Sequence, residues 1–71
     1  SSDLEKKISK TATHILCEAT QMFAQNGFEG TIMDSLAEQA QVNKASIYYH
    51  FQDKANLYEQ CMVRLFKQVI D

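Results

Sequence analysis

Proline and tryptophan are missing from this sequence, and glycine and cysteine occur only twice each in 71 residues. Without proline, and with so little glycine, the chain lacks the punctuation of a loop-rich or many-stranded β fold, which leaves helices joined by short turns. Two thiols are too few for a disulfide scaffold, and Cys17 and Cys61, without C-x-x-C spacing, read as small core residues in a reducing, cytoplasmic setting in preference to a disulfide between them. No run reaches the ~18–20 apolar residues that a membrane-spanning helix needs. The start, Ser1 to Lys7, is polar and does not resemble a signal peptide. Nor is there a strong charge of one sign, since seven Lys+Arg against nine Asp+Glu leave −2. There is no initiator Met, so the chain reads as a piece of something longer.

Forty-five per cent of the residues are hydrophobic, enough to form a core. At this length that means one small domain of marginal stability. Ile8, Ala12, Ile15, Leu16, Ala19, Met22 and Phe23 recur at steps of three and four and predict a first helix from about Leu4 to Gln25. Asn26-Gly27 ends it, with Gly27 as the left-handed cap and Phe28 folding back as the accompanying apolar contact. Thr31 is the expected N-cap of a short second helix, whose apolar side is Met33, Leu36, Ala37 and Ala40, with Asp34 favouring the positive end of the dipole. After Gln41-Val42, Asn43 is suited to cap a third helix, Lys44 to His50, with Ala45, Ile47, Tyr48 and Phe51 as its candidates for packing. Asp53 then caps a fourth.

The fourth helix carries two adjacent apolar stripes, Leu57/Cys61/Leu65 and Tyr58/Met62/Phe66/Val69, with Ile70 extending the band. That is more than a small bundle needs, so the band either wedges centrally or covers something beyond this chain. The fold expected is all-α: a small bundle of three helices with a helix-turn-helix motif, plus the start of a long fourth helix. Residues 1–52 form the helix-turn-helix domain. Residues 53–71 form the connecting helix.

A short helix, a tight turn and a second short helix is the arrangement that places its second helix in the DNA major groove. From Ala40 to Gln52 there is no acidic residue, while Lys44, Ser46, Tyr48, Tyr49 and His50 fall within seven positions. Lysine neutralises phosphate, and hydroxyls donate to phosphate oxygens. Lys44 and Ser46, at the helix start, are best placed to reach base edges. The overall charge opposes DNA binding, but local patches decide contact.

The run Phe23-x-x-x-Gly27-Phe28, Thr31, Leu36-Ala37-x-x-Ala40-x-Val42-Asn43, Ile47-Tyr48-Tyr49-His50-Phe51-x-x-Lys54-x-x-Leu57 resembles the N-terminal domain of tetracycline-repressor-type (TetR) transcription regulators. The resemblance covers nearly the whole chain, and the stretch from Tyr48 to Leu57 is its most specific part. It implies a sequence-specific repressor that binds double-stranded operator DNA as a homodimer. It also implies a larger C-terminal domain, absent here, that forms the dimer and binds a small-molecule inducer. By the same resemblance Thr31 binds phosphate. Lys44, Ala45 and Ser46 face the groove with Tyr49 beside them, and Tyr48, His50 and Lys54 hold the backbone. Two positions depart from the family: Gln41 stands where glycine is usual in the turn, so a non-glycine residue in a left-handed or altered conformation is expected. Ala45 stands where glycine is frequent, adding a methyl group suited to a thymine methyl.

The alternative is a helical protein-interaction module using Tyr58, Met62, Phe66 and Val69. Lys54 in the first turn of a helix opposes the dipole, which a phosphate-binding role explains. Lys6, Lys7 and Lys10 read equally as backbone contacts or as a solvated face. His14 and Cys17 lie one turn apart but lack the further ligands of a metal site, so His14 reads as an ordinary helix residue. No nucleophile–base pair, phosphate loop or carboxylate dyad suggests catalysis, and no cofactor is expected.

Overall fold

The computed structural model describes residues 2–70, apart from the side chains of Ser2, Ile8 and Ile70. Ile8 and Ile70, expected on apolar helix faces, therefore lie outside the described side chains. Four helices follow in order, α1 (Ser2–Gly30), α2 (Met33–Ala40), α3 (Lys44–His50) and α4 (Lys54–Ile70). No strand occurs among the described residues.

The first helix runs to Gly30 rather than ending near Gln25, but it is broken at Gly27, whose φ of 74° and ψ of 175° are not helical. Residues 28–30 form one more turn beyond the break. This turn swings Phe28 back onto the bundle, where its ring stacks on Phe23 at 6.1 Å and meets Tyr58 edge-on at 5.3 Å. Phe23 and Tyr58 are themselves edge to face at 4.9 Å, so three aromatic rings join the end of α1 to α4.

The core is one cluster fed by every helix. Ile15, Ala19, Met22 and Phe23 of α1 meet Leu36 and Ala37 of α2, Ile47 of α3, Phe51 after it, and Leu57 and Cys61 of α4. The first turns of α4 thus share a core with residues 1–52. Beyond Cys61 the helix emerges: Met62, Val63, Leu65, Phe66 and Val69 are exposed. Leu65, expected to continue the stripe of Leu57 and Cys61, does not stay in the core.

Cys17 also departs from expectation, being exposed while Cys61 is buried. Cys17 lies two residues after Ile15 and two before Ala19, off the buried stripe, and Arg64 of α4 donates a hydrogen bond to its sulfur at 3.0 Å. Both thiols are free. Burial pushes the Cys61 thiol up from its ordinary value.

Candidate nucleic-acid interface

Four local devices hold α2 and α3 at a fixed angle. Gln41 takes the left-handed conformation, φ 58° and ψ 44°. The Val42 N–H donates to the Ala37 carbonyl at 3.0 Å and the Gln41 N–H to the Glu38 carbonyl at 3.1 Å. This is the paired C-terminal closure usually built on glycine, here made by glutamine. Val42 then packs against the core. Asn43 caps α3 as expected, its side chain accepting from the Ala45 N–H at 2.9 Å. Asp53 likewise accepts from the Asn56 N–H at 2.8 Å at the start of α4.

A further brace was not visible as such in the sequence. The His14 ring donates from Nε2 to the Ala40 carbonyl at 2.8 Å, tying α1 to the last residue of α2. One turn along, Gln39 donates to the Glu18 carboxylate at 3.2 Å. His14 is thus a clamp on the turn that aims α3. A histidine four residues before a glutamate on one helix face was the available signal, but nothing in the sequence named its partner. No cluster of three metal-ligating side chains occurs among the described residues.

With α3 anchored through Ile47, which is fully buried, its remaining faces point outward. Tyr49 is 73% exposed and Lys44 is exposed, with Ser46 and His50 half-buried; of the expected packing set only Ile47 and Phe51 enter the core, while Ala45 and Tyr48, 44% exposed, lie on the outward side that Ile47 leaves free. The His50 ring lies edge-on to Tyr49 at 5.1 Å, which restrains both at the end of the helix. Lys54 is half-buried, with its ammonium 4.6 Å above the Phe28 ring. That cation–π contact gives a second reason for a lysine in a helical first turn, alongside any phosphate contact.

Two predicted contacts look different in three dimensions. Thr31 neither caps α2 nor reaches solvent. Ile32 occupies the N-cap position without a side-chain cap bond, while Thr31 is buried and its hydroxyl donates back to the Gly27 carbonyl at 2.8 Å. The hydroxyl thus points to the backbone at the Gly27 break, where Thr31 seals the turn from inside. Lys44 is not a free cation, since its ammonium pairs with the Asp34 carboxylate of α2 at 2.6 Å. That hydrogen bond, reinforced by the attraction between the charges, raises the lysine above its ordinary value.

A buried-backed second helix set against a left-handed turn, contributing no acidic side chain of its own, defines a helix-turn-helix unit. The chain belongs to the family of bacterial regulatory proteins of the tetR type, whose sequence pattern matches residues 15–61. It is 41% identical over 46 residues to the biofilm operon icaADBC HTH-type negative transcriptional regulator IcaR of Staphylococcus aureus strain Newman, covering 65% of this chain and 25% of that protein. The Staphylococcus epidermidis regulator of the same name is 32% identical over 57 residues, covering 80% of this chain and 31% of the relative. The chain thus spans between a quarter and a third of the length of these relatives. No solved structure matches it significantly. The family is one of transcriptional regulators, not a class of enzymes. No helix among the described residues is long and apolar enough to cross a membrane.

Proposed function

We propose that this chain is the operator-reading domain of a transcriptional repressor, inserting α3 into the major groove of double-stranded DNA. The observation that carries the reading is the outward face of α3, rigidly backed by Ile47 and presenting Ala45, Ser46 and Tyr49 with no carboxylate between residues 40 and 52. Lys44, Ala45, Ser46 and Tyr49 are the groove-facing set. Tyr48, His50 and Lys54 are the flanking backbone contacts, and Thr31 supports the site from inside. The likeness to negative transcriptional regulators supports repression as the outcome of binding.

In the whole protein two such units would read the halves of a roughly palindromic operator as a homodimer, with a small-molecule inducer acting through α4. The exposed apolar side of α4, Met62, Phe66 and Val69, supports burial against further protein, and the same side favours the second reading, a protein-interaction module. The experiment is anisotropy of the full-length protein with a duplex that it selects from a random pool. Lys54→Ala and Tyr48→Phe each weaken binding, and affinity falls steeply between about 50 and 200 mM salt. A flat salt response together with unaltered affinity in both variants overturns the reading in favour of the interaction module.

A further inference from the structure

Among residues 40–52, Lys44 is the only Lys or Arg, yet it is already engaged by Asp34 at 2.6 Å. We propose that Asp34 is a specificity-determining residue for duplex recognition: by pairing with Lys44 it turns the cation at the start of α3 from a phosphate ligand into a neutral reader of base edges. This rests on α3 being the groove-facing helix.

The physical basis is the difference between what phosphates and bases respond to. Phosphates attract net positive charge, identically along any duplex and in a salt-dependent manner. Base edges respond to hydrogen-bond geometry, and the guanine edge offers two adjacent acceptors, N7 and O6, in the major groove. An ammonium has three donors. Asp34 takes one and cancels the charge, leaving two donors for such an edge. The carboxylate is itself 74% exposed, so it also faces whatever anion approaches the start of α2. A mismatched duplex therefore loses the electrostatic attraction, whereas a duplex with acceptors in register keeps the hydrogen bonds. Absolute affinity falls and discrimination rises, a gain made by penalising the wrong partner.

A purely structural role predicts something else. Both partners of the pair are at least half exposed, and ion pairs of that kind contribute little to folding. Neutralising Asp34 should therefore lower the thermal midpoint only slightly, through the lost dipole interaction at the start of α2, while altering the ratio between duplexes.

The test uses the full-length protein, a duplex selected by the wild type from a random pool, and a scrambled duplex of the same composition. For Asp34→Asn the scrambled duplex binds about fivefold tighter and its log–log salt slope steepens by about one. The selected duplex gains at most about twofold, so the ratio between them falls. Asp34→Ala, which also removes any residual hydrogen bond to Lys44, gives the same direction. In a Lys44→Met background Asp34→Asn no longer lowers the ratio. An unchanged or increased ratio, or an unchanged slope, overturns the inference. Tyr49→Ala separates the two levels: if it leaves the selected duplex bound as before, the placement of α3 in the groove fails, and if it weakens binding while Asp34→Asn changes nothing, only the role of Asp34 fails.

Discussion

Gly27 and Gln41 both have positive φ, yet they differ in what they tolerate. Gln41 sits in the ordinary left-handed well, φ 58° and ψ 44°, where an unbranched L-residue is accommodated at a cost of about 1 kcal/mol. Gly27, at φ 74° and ψ 175°, lies in a region open essentially to glycine alone. Adding a Cβ at Gly27 would touch nothing within 4 Å, so any penalty there belongs to the backbone and not to a clash. Gln41→Gly is expected to stabilise the domain by about 0.5–1 kcal/mol, and Gly27→Ala to destabilise it by about 1–3 kcal/mol. Denaturant midpoints of the two variants check both signs. The cysteines separate in the same way. Iodoacetamide should label exposed Cys17 in the folded protein and reach Cys61 only on unfolding, as mass spectrometry of the labelled peptides will report. Because burial raises Cys61, the folded thiol stays protonated where the unfolded one ionises, so unfolding releases a proton there. The stabilisation from the neutral thiol is complete below the ordinary thiol value and is lost as pH rises from that value towards the raised one. Thermal midpoints measured across the alkaline range should therefore fall in wild type more than in Cys61→Ala.

At the scale of elements, α3 is only seven residues long, too short to be helical alone, and it depends on its cap and its anchor. Asn43→Ala removes the bond to the Ala45 N–H and should cost about 1 kcal/mol. Ile47→Ala empties a fully buried position and should cost about 2–5 kcal/mol. The two differ in what reaches DNA: at a temperature where both variants remain folded, loss of the cap frays the very turn that carries Lys44 and Ser46. Operator affinity is then expected to fall further, relative to stability, for Asn43→Ala than for Ile47→Ala. The caps at Asn43 and Asp53 were legible in the sequence because a cap is a bond between residues two or three apart. The left-handed Gln41 was legible only through the resemblance, because glycine is usual at that turn position in the family. Thr31 misled because a threonine before a short helix has the same local signature whether its hydroxyl points forward to the helix or back to the Gly27 carbonyl.

For the molecule as a whole, the balance of exposed and buried surface divides α4 into two parts. Leu57 and Cys61 are fully buried in the shared core, whereas Phe66 is 66% and Val69 84% exposed. The 71-residue chain taken alone is expected to be a monomer or weak dimer with poor operator affinity, because a single half-site contact lacks the avidity of two linked ones. Sedimentation of the isolated chain and of the full-length protein, alongside anisotropy of each on the same duplex, checks this. A tight dimer of the isolated chain would overturn it.

The sequence by itself determined the four helices in outline, the caps at Asn43 and Asp53 and, through its motif, the family. The helices and caps follow from apolar periodicity and from hydrogen bonds within a few residues, whereas the family and the left-handed turn rest on the resemblance of the motif. Only the tertiary structure decided that His14 grips the Ala40 carbonyl, that Thr31 faces inward, that Arg64 reaches Cys17 and that Asp34 holds Lys44. The His14 and Arg64 bonds join residues 26 and 47 positions apart. Their existence depends on the angles at which the helices cross, which the buried surfaces set jointly and no local stretch encodes.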